Sequence, residues 1–152
     1  MAENTDLIKI IAKAERFCAY QERSKKQVIS KLATFGLITS QQDKIIAHLQ
    51  QNRFLDESRF VESYIHGKST LKGWGPAKIK QGLRGHAVSE EEISKALALY
   101  LPDQNLASLE KLVQKKLQQL VNEEDSYQKK AKVVRYALSK GYALEAILKV
   151  YG

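Results

Sequence analysis

Gly67-Lys68-Ser69-Thr70 is the tetrapeptide of this chain that resembles the end of a phosphate-binding loop, and His48, His66 and His86 are its three histidines. Neither set is placed for chemistry. A phosphate loop needs a glycine five residues before Gly67, where Glu62 stands, and a strand leading into it, whereas Phe60 to Ile65 has helical periodicity. The histidines have no second His or Cys at ligand spacing, and a zinc site needs three or four converging ligands. Asp56 with Glu57, and Glu90 to Glu92, fall at expected helix starts, where carboxylates favour the helix dipole without any catalytic role. No Ser, Thr or Cys has a base in a recognisable arrangement. The expectation is therefore no catalytic residue, no metal, no cofactor and no enzymatic activity.

The remaining chemistry is electrostatic. Basic residues gather in three groups: Arg23, Lys25, Lys26 and Lys31; Lys68, Lys72, Lys78, Lys80 and Arg84; and Lys129, Lys130, Lys132, Arg135 and Lys140. If the helices that carry them stack in register, cations line one side of the molecule and suit a phosphate backbone or an acidic groove. Trp74, the single tryptophan, stands beside the middle group. It is open to two readings, a platform on which a base stacks or a plug in a junction between modules.

Charge and cysteine content bound the partners. A formal net charge of +8 over 152 residues attracts nucleic acid, anionic membrane or an acidic protein. The charge is uneven: residues 16–53 carry +5, 54–88 carry +3, 89–128 carry −4 and 129–152 carry +5. Cys18 stands alone, so it cannot form an internal disulfide; it is expected to fill a core in a protein of the reducing cytoplasm. The N-terminus lacks the apolar run of a signal peptide, and no segment approaches the roughly 20 apolar residues of a membrane span, so no membrane partner is expected.

The elements that must position these cations read as helices throughout. Leu7, Ile8, Ile11, Ala14, Phe17 and Cys18 form the stripe of a first helix, from Thr5 to about Gln21. Ser24 with Gln27, Thr39 with Gln42, and Ser89 with Glu92 have capping-box spacing and start three more. The first of those carries Val28, Ile29 and Leu32, and the second Ile45, Ile46 and Leu49. Asp56 caps a helix to about Lys68, with Phe60, Val61, Tyr64 and Ile65 on one face; Gly73 and Gly75 stop the chain and Pro76 restarts it toward Gly85. The helix from Ser89 ends at Pro102. Leu106, Leu109, Leu112, Val113, Leu117 and Leu120 mark a helix from Asn105, with Lys111, Lys115 and Lys116 outside it. Another runs from Ser126 to Lys140, and Leu144, Ile147, Leu148 and Tyr151 mark the last.

Sliding the chain by about 50 residues aligns Leu32–Gly36 with Leu83–Ala87 and then with Ala137–Gly141. The economical organisation is all-α, with three tandem three-helix repeats at 1–54, 55–102 and 103–152. Such modules bury little surface singly and must pack on their neighbours.

The stretch from Phe54 to Leu83 resembles the signature of the RecX regulatory proteins, bacterial modulators of the RecA recombinase, through Leu55, Asp56, Arg59, Phe60, Gly75, Pro76, Ile79 and Leu83. Ser24–Gly36 is similar to that family's first-module helix, and the run ending at Tyr142 to its third. His86-Ala87 departs from the pattern, which has a glycine there. The resemblance implies an elongated, curved, right-handed array of three-helix repeats that is no enzyme. It further implies insertion along the RecA filament on single-stranded DNA, slower ATP hydrolysis and strand exchange, and limited filament growth. The expected partners are the RecA filament and single-stranded DNA, with duplex DNA as a further one, bound by a monomer. The alternative from the residues is a stand-alone helix-turn-helix protein reading duplex DNA.

Overall fold

A computed structural model describes residues 2–101 and 104–151, and among these residues it is entirely helical. The order is α1 (Ala2–Tyr20), α2 (Lys25–Ala33), α3 (Thr39–Gln51), α4 (Glu57–His66), a π-helical turn (Gly67–Leu71), α5 (Pro76–Gly85), α6 (Glu90–Tyr100), α7 (Gln104–Gln119), α8 (Ser126–Ser139) and α9 (Leu144–Tyr151). The expected stop at Pro102 and the side chain of Asn105 lie outside the described residues. The chain divides into two compact units, Met1–Ser63 and Tyr64–Gly152.

Caps explain most of the starts. Gln27 N–H donates to Ser24 Oγ at 3.1 Å while Ser24 N–H donates to Gln27 Oε1 at 2.9 Å, so the expected reciprocal box opens α2. Asp56 Oδ1 accepts from Arg59 N–H at 3.1 Å ahead of α4, and Asp125 Oδ1 accepts from Tyr127 and Gln128 N–H ahead of α8. Ser89 Oγ accepts from Glu92 N–H at 3.2 Å. The Thr39 cap is a correction. Ile38 takes the cap position, and its N–H donates to Gln41 Oε1 at 3.2 Å. Isoleucine has no acceptor to return, so only the backward half of the box exists there.

The repeat is visible in how three helices end. Val28 and Leu32, Ile79 and Leu83, and Val133 and Ala137 are fully buried pairs one turn apart on α2, α5 and α8. Four residues after the second member comes a residue in the left-handed region: Gly36 at φ 75°, Ala87 at 61° and Gly141 at 98°. Each donates its N–H back into the last turn, to Ala33, Arg84 and Leu138 carbonyls. Glycine adopts this conformation without penalty, so Ala87 is the strained member of the three.

In the first unit, Ala14 and Cys18 of α1 pack with Val28, Leu32, Ile45, Ile46, Leu49 and Leu55. Leu55 thus closes the first core, although its place in the signature assigned it to the middle module. Arg59 of that signature is structural: its Nε pairs with Glu22 Oε1 at 3.1 Å and its Nη2 donates to Arg53 O at 2.7 Å. In the second unit, Ile79, Leu83, Val88 and Ile93 are buried along α5 and α6. Leu109, Val113, Val133, Ala137, Tyr142 and Ile147 form the core of α7 to α9.

Several stripe residues expected inside lie at solvent: Ile8, Ile29, Leu106, Leu144 and Leu148. Ile29 and Leu148 each follow a fully buried residue, Val28 and Ile147. Neighbours in a helix are about 100° apart, so a short helix resting on one partner buries one of such a pair and turns the other out.

Candidate basic binding interface

The corner after the π-helical turn is built from main chain. Gly73 has φ 67°, and Trp74 N–H donates to Lys68 O at 2.9 Å. Gly75 N–H then donates to Lys140 O at 2.7 Å and Ala77 N–H to Gly141 O at 3.0 Å. These are unsatisfied first-turn donors of α5 meeting unsatisfied last-turn acceptors of α8, so each helix end caps the other. Tyr142 OH donates to Gly73 O at 3.0 Å, and burial pushes its phenol up to about 12. A β-carbon on Gly75 would stand 2.6 Å from the Gly141 carbonyl, and one on Gly141 would stand 2.5 Å from the Lys78 backbone nitrogen. Only two glycines allow this approach. Gly82, inside α5, leaves space for Tyr64, whose hydroxyl lies 1.9 Å from where a β-carbon would stand.

Trp74 is half-buried beside this seam, edge-on to Tyr64 at 6.5 Å between centroids. Lys68 Nζ and Lys78 Nζ lie 4.7 and 4.6 Å from its ring centre. The indole therefore gathers a cation from the π-helical turn and another from α5, at about 0.5–1 kcal/mol each where solvent reaches.

On the other side of the π-helical turn a cleft of about 280 Å³ opens against α7 and α8. Lys72, Lys111, Lys115, Lys116 and Lys140 line it, together with Thr70, Ser108 and Tyr136, and its lining contains no Asp or Glu. Lys116 Nζ is 4.7 Å and Lys140 Nζ 5.6 Å from the Tyr136 ring centre. Five ammonium groups around one open cleft repel each other, and an anion relieves that repulsion.

The fifteen basic-face candidates therefore separate. Lys68, Trp74 and Lys78 come together at the indole, and Lys72 and Lys140 meet in the cleft. Arg84 is engaged by Glu90, with Nη2 donating to Oε2 at 3.1 Å; this bond holds the Glu90 carboxyl below its ordinary range, and nearby Lys80 contributes to the same shift. Lys132 pairs with Glu123 at 2.6 Å and lowers that carboxyl in the same way. Lys129 is half-buried on α8, while Lys130 and Arg135 border a shallow apolar groove with Tyr127 and Leu138. In the first unit, Arg23 stacks 3.8 Å over Phe17 and donates Nε to Phe17 O at 2.9 Å, Lys31 lies 5.6 Å from the same ring centre, and Lys25 and Lys26 are exposed in the first turn of α2.

Lys111, Lys115 and Lys116 are the cations that sequence reading left out of the face. They sit in the segment whose net charge is −4, and a segment sum averages over helix faces. The spacing of Lys111, Lys115 and Lys116 on one face of α7 was the available signal.

Helices in successive triplets, the second joined to the third by main-chain bonds, define an all-helical repeat protein that carries lysine clusters. The profile of the second three-helix domain of RecX matches residues 56–97, and that of its third three-helix domain matches 103–151. A regulatory protein RecX of Clostridium tetani (strain Massachusetts / E88) is 32% identical over 151 residues, covering 99% of this chain and 69% of the relative. One from Salmonella agona (strain SL483) is 26% identical, over 94% of this chain and 90% of its own length. The chain spans 53% of a relative from Leuconostoc mesenteroides, at 26% identity. The crystal structure of RecX from Lactobacillus salivarius superposes with a TM-score of 0.84 at 22% identity, over 99% of this chain and 96% of that one. The chain belongs to the RecX family of regulatory proteins. Among the described residues no helix is long and apolar enough to cross a membrane, and no group of His, Cys, Asp or Glu is arranged to hold a metal ion.

Proposed function

We infer that this chain regulates the RecA recombinase by binding its filament on single-stranded DNA. On this reading it acts as a cytoplasmic monomer with no catalysis of its own, and lowers ATP hydrolysis, strand exchange and filament growth. Family membership supports the recombinase as partner, and the observation that carries the mode of binding is the clustering of ammonium groups around Trp74 and in the carboxylate-free cleft. The chain is read as three repeats, 1–54, 55–102 and 103–152, whose basic positions from Arg23 to Lys140 contribute contacts. Several weak contacts on successive protomers add up by multivalency.

The test is to add the full chain to RecA on single-stranded DNA and follow ATP turnover and strand exchange. Both should fall as the chain is titrated in. Unchanged turnover at several-fold excess refutes the reading, and a reproducible preference for one duplex site without any recombinase effect replaces it with a helix-turn-helix function.

A further inference from the structure

We propose that the cleft along α7 binds a single strand of nucleic acid through its phosphates; the inference deepens the reading above, and rests on it only in placing a nucleic acid near the chain. The α7 wall presents Ser108, Lys111, Leu112, Lys115, Lys116 and Gln119, spaced i, i+3, i+4, i+7, i+8 and i+11, so every one lies on one face. Eleven residues at about 1.5 Å each extend about 16 Å. That length spans several nucleotides of one strand, at about 3.4 Å per nucleotide along a stacked strand, and is longer than one phosphate needs. The facing walls supply Thr70 from the π-helical turn and Tyr136 and Lys140 from α8.

Three features favour a strand over an acidic peptide or a duplex. The cations are all lysines, with no arginine in the lining. Lysine meets a phosphate as a flexible point charge, so a row of lysines can follow the uneven phosphate spacing of a single strand without the fixed bidentate geometry that arginine imposes on carboxylates and phosphates alike. The hydroxyls of Thr70 and Ser108 can donate to phosphate oxygens, and the Tyr136 ring holds the Lys116 and Lys140 ammonium groups beside it in the cleft, where they can meet a phosphate. The basic face of α7 also forms a wall of the cleft, flanked by the π-helical turn and α8, so it cannot enter a major groove as a recognition helix does. None of the five lysines makes an ion pair among the described residues, so the ligand displaces no carboxylate.

The test uses the full chain without recombinase and a fluorescein-labelled oligothymidylate, with affinity read from anisotropy across a salt series. The triple variant Lys111→Gln, Lys115→Gln and Lys116→Gln is compared with Lys9→Gln, Lys95→Gln and Lys149→Gln, which removes the same charge elsewhere. Each phosphate contact on a single strand contributes about 0.7 to the slope of log K against log salt, so the cleft variant should lose about 2 from that slope and bind about a hundredfold more weakly at 0.1 M salt. The control should keep its slope, and circular dichroism melts should show both variants folded. Equal losses in the two variants, or none in the cleft variant, overturn the proposal. Retained strand binding with lost RecA inhibition makes the cleft a protein site, which overturns this proposal and leaves the regulatory reading standing. A lost slope in a chain that never slows RecA does the reverse.

Discussion

Gly75→Ala isolates the seam between α5 and α8. At Gly75 φ is −87° and ψ 176°, extended backbone that alanine adopts freely, so the substitution introduces no dihedral strain. In open space it would stabilise by about 0.4–1 kcal/mol through the unfolded chain. Here the new methyl would lie 2.6 Å from the Gly141 carbonyl carbon and oxygen and 2.7 Å from Tyr142 N. Non-bonded carbon contacts settle near 3.5–4.0 Å, so the two main chains must part by about 1 Å. The Gly75–Lys140 and Ala77–Gly141 bonds, at 2.7 and 3.0 Å, then pass out of hydrogen-bonding range. Gly75 is buried, so losing its partner costs about 1–3 kcal/mol, and the exposed Ala77 adds about 0.5–1 kcal/mol, giving a destabilisation of about 1–4 kcal/mol. Urea unfolding followed by the fluorescence of Trp74, the only tryptophan and a neighbour of the seam, reads this directly. Amide exchange at Ala77 should accelerate in parallel. Gly85→Ala, where a β-carbon meets nothing within 4 Å, serves as control and should be neutral or stabilising by up to about 1 kcal/mol. A Gly75→Ala protein within about 0.5 kcal/mol of the parent, with Ala77 still protected, would refute the steric reasoning.

Ala87→Gly should act in the opposite sense. An L-residue at φ 61° carries about 1–2 kcal/mol of strain, and glycine returns about 0.4–1 kcal/mol of that to the unfolded state, so a net gain of about 0.5–1 kcal/mol is expected in the urea midpoint; a lower midpoint contradicts it. Tyr142, with its phenol at about 12, should ionise after the ordinary tyrosines when tyrosinate absorbance is followed in the folded protein. Because its folded value is raised, its contribution to stability is complete below about pH 10 and is lost as pH climbs from there toward 12. Tyr142→Phe should remove the late step and cost about 0.5–1.5 kcal/mol with the bond to Gly73 O; all seven tyrosines ionising together would exclude this assignment.

Local chemistry was legible where a few neighbouring residues suffice. Ser24 with Gln27, Asp56, and Pro76 after Gly75 place helix starts because a cap needs partners only two or three positions away. The repeat of Leu32–Gly36, Leu83–Ala87 and Ala137–Gly141 was legible for the same reason, since each stop is local. The seam was not, because Gly75 and Gly141 lie in different triplets and nothing along the chain announces that their backbones touch. Apolar stripes overshot at Ile29 and Leu148, since composition gives the width of a stripe and only packing gives the width of its partner. The lysine cleft was half legible: Lys72 and Lys140 were among the candidates, while Lys111, Lys115 and Lys116 were hidden inside an acidic average. Arg23, Arg84 and Lys132 also have neighbours that sequence spacing did not announce, the Phe17 carbonyl, Glu90 and Glu123.

Lys140 belongs to two structures at once. Its carbonyl accepts the Gly75 amide, and its ammonium stands at the mouth of the lysine cleft; across from it, Lys72 faces the cleft while the next residue, Gly73, accepts Tyr142 OH. An anion held by both Lys72 and Lys140 would bridge the same two segments that the seam bonds join. Thermodynamic reciprocity then makes the seam a reporter of occupancy: a ligand that binds the closed arrangement alone adds about 2.7 kcal/mol to it at a hundred times its dissociation constant, and loosening the joint by one methyl weakens such a ligand in return.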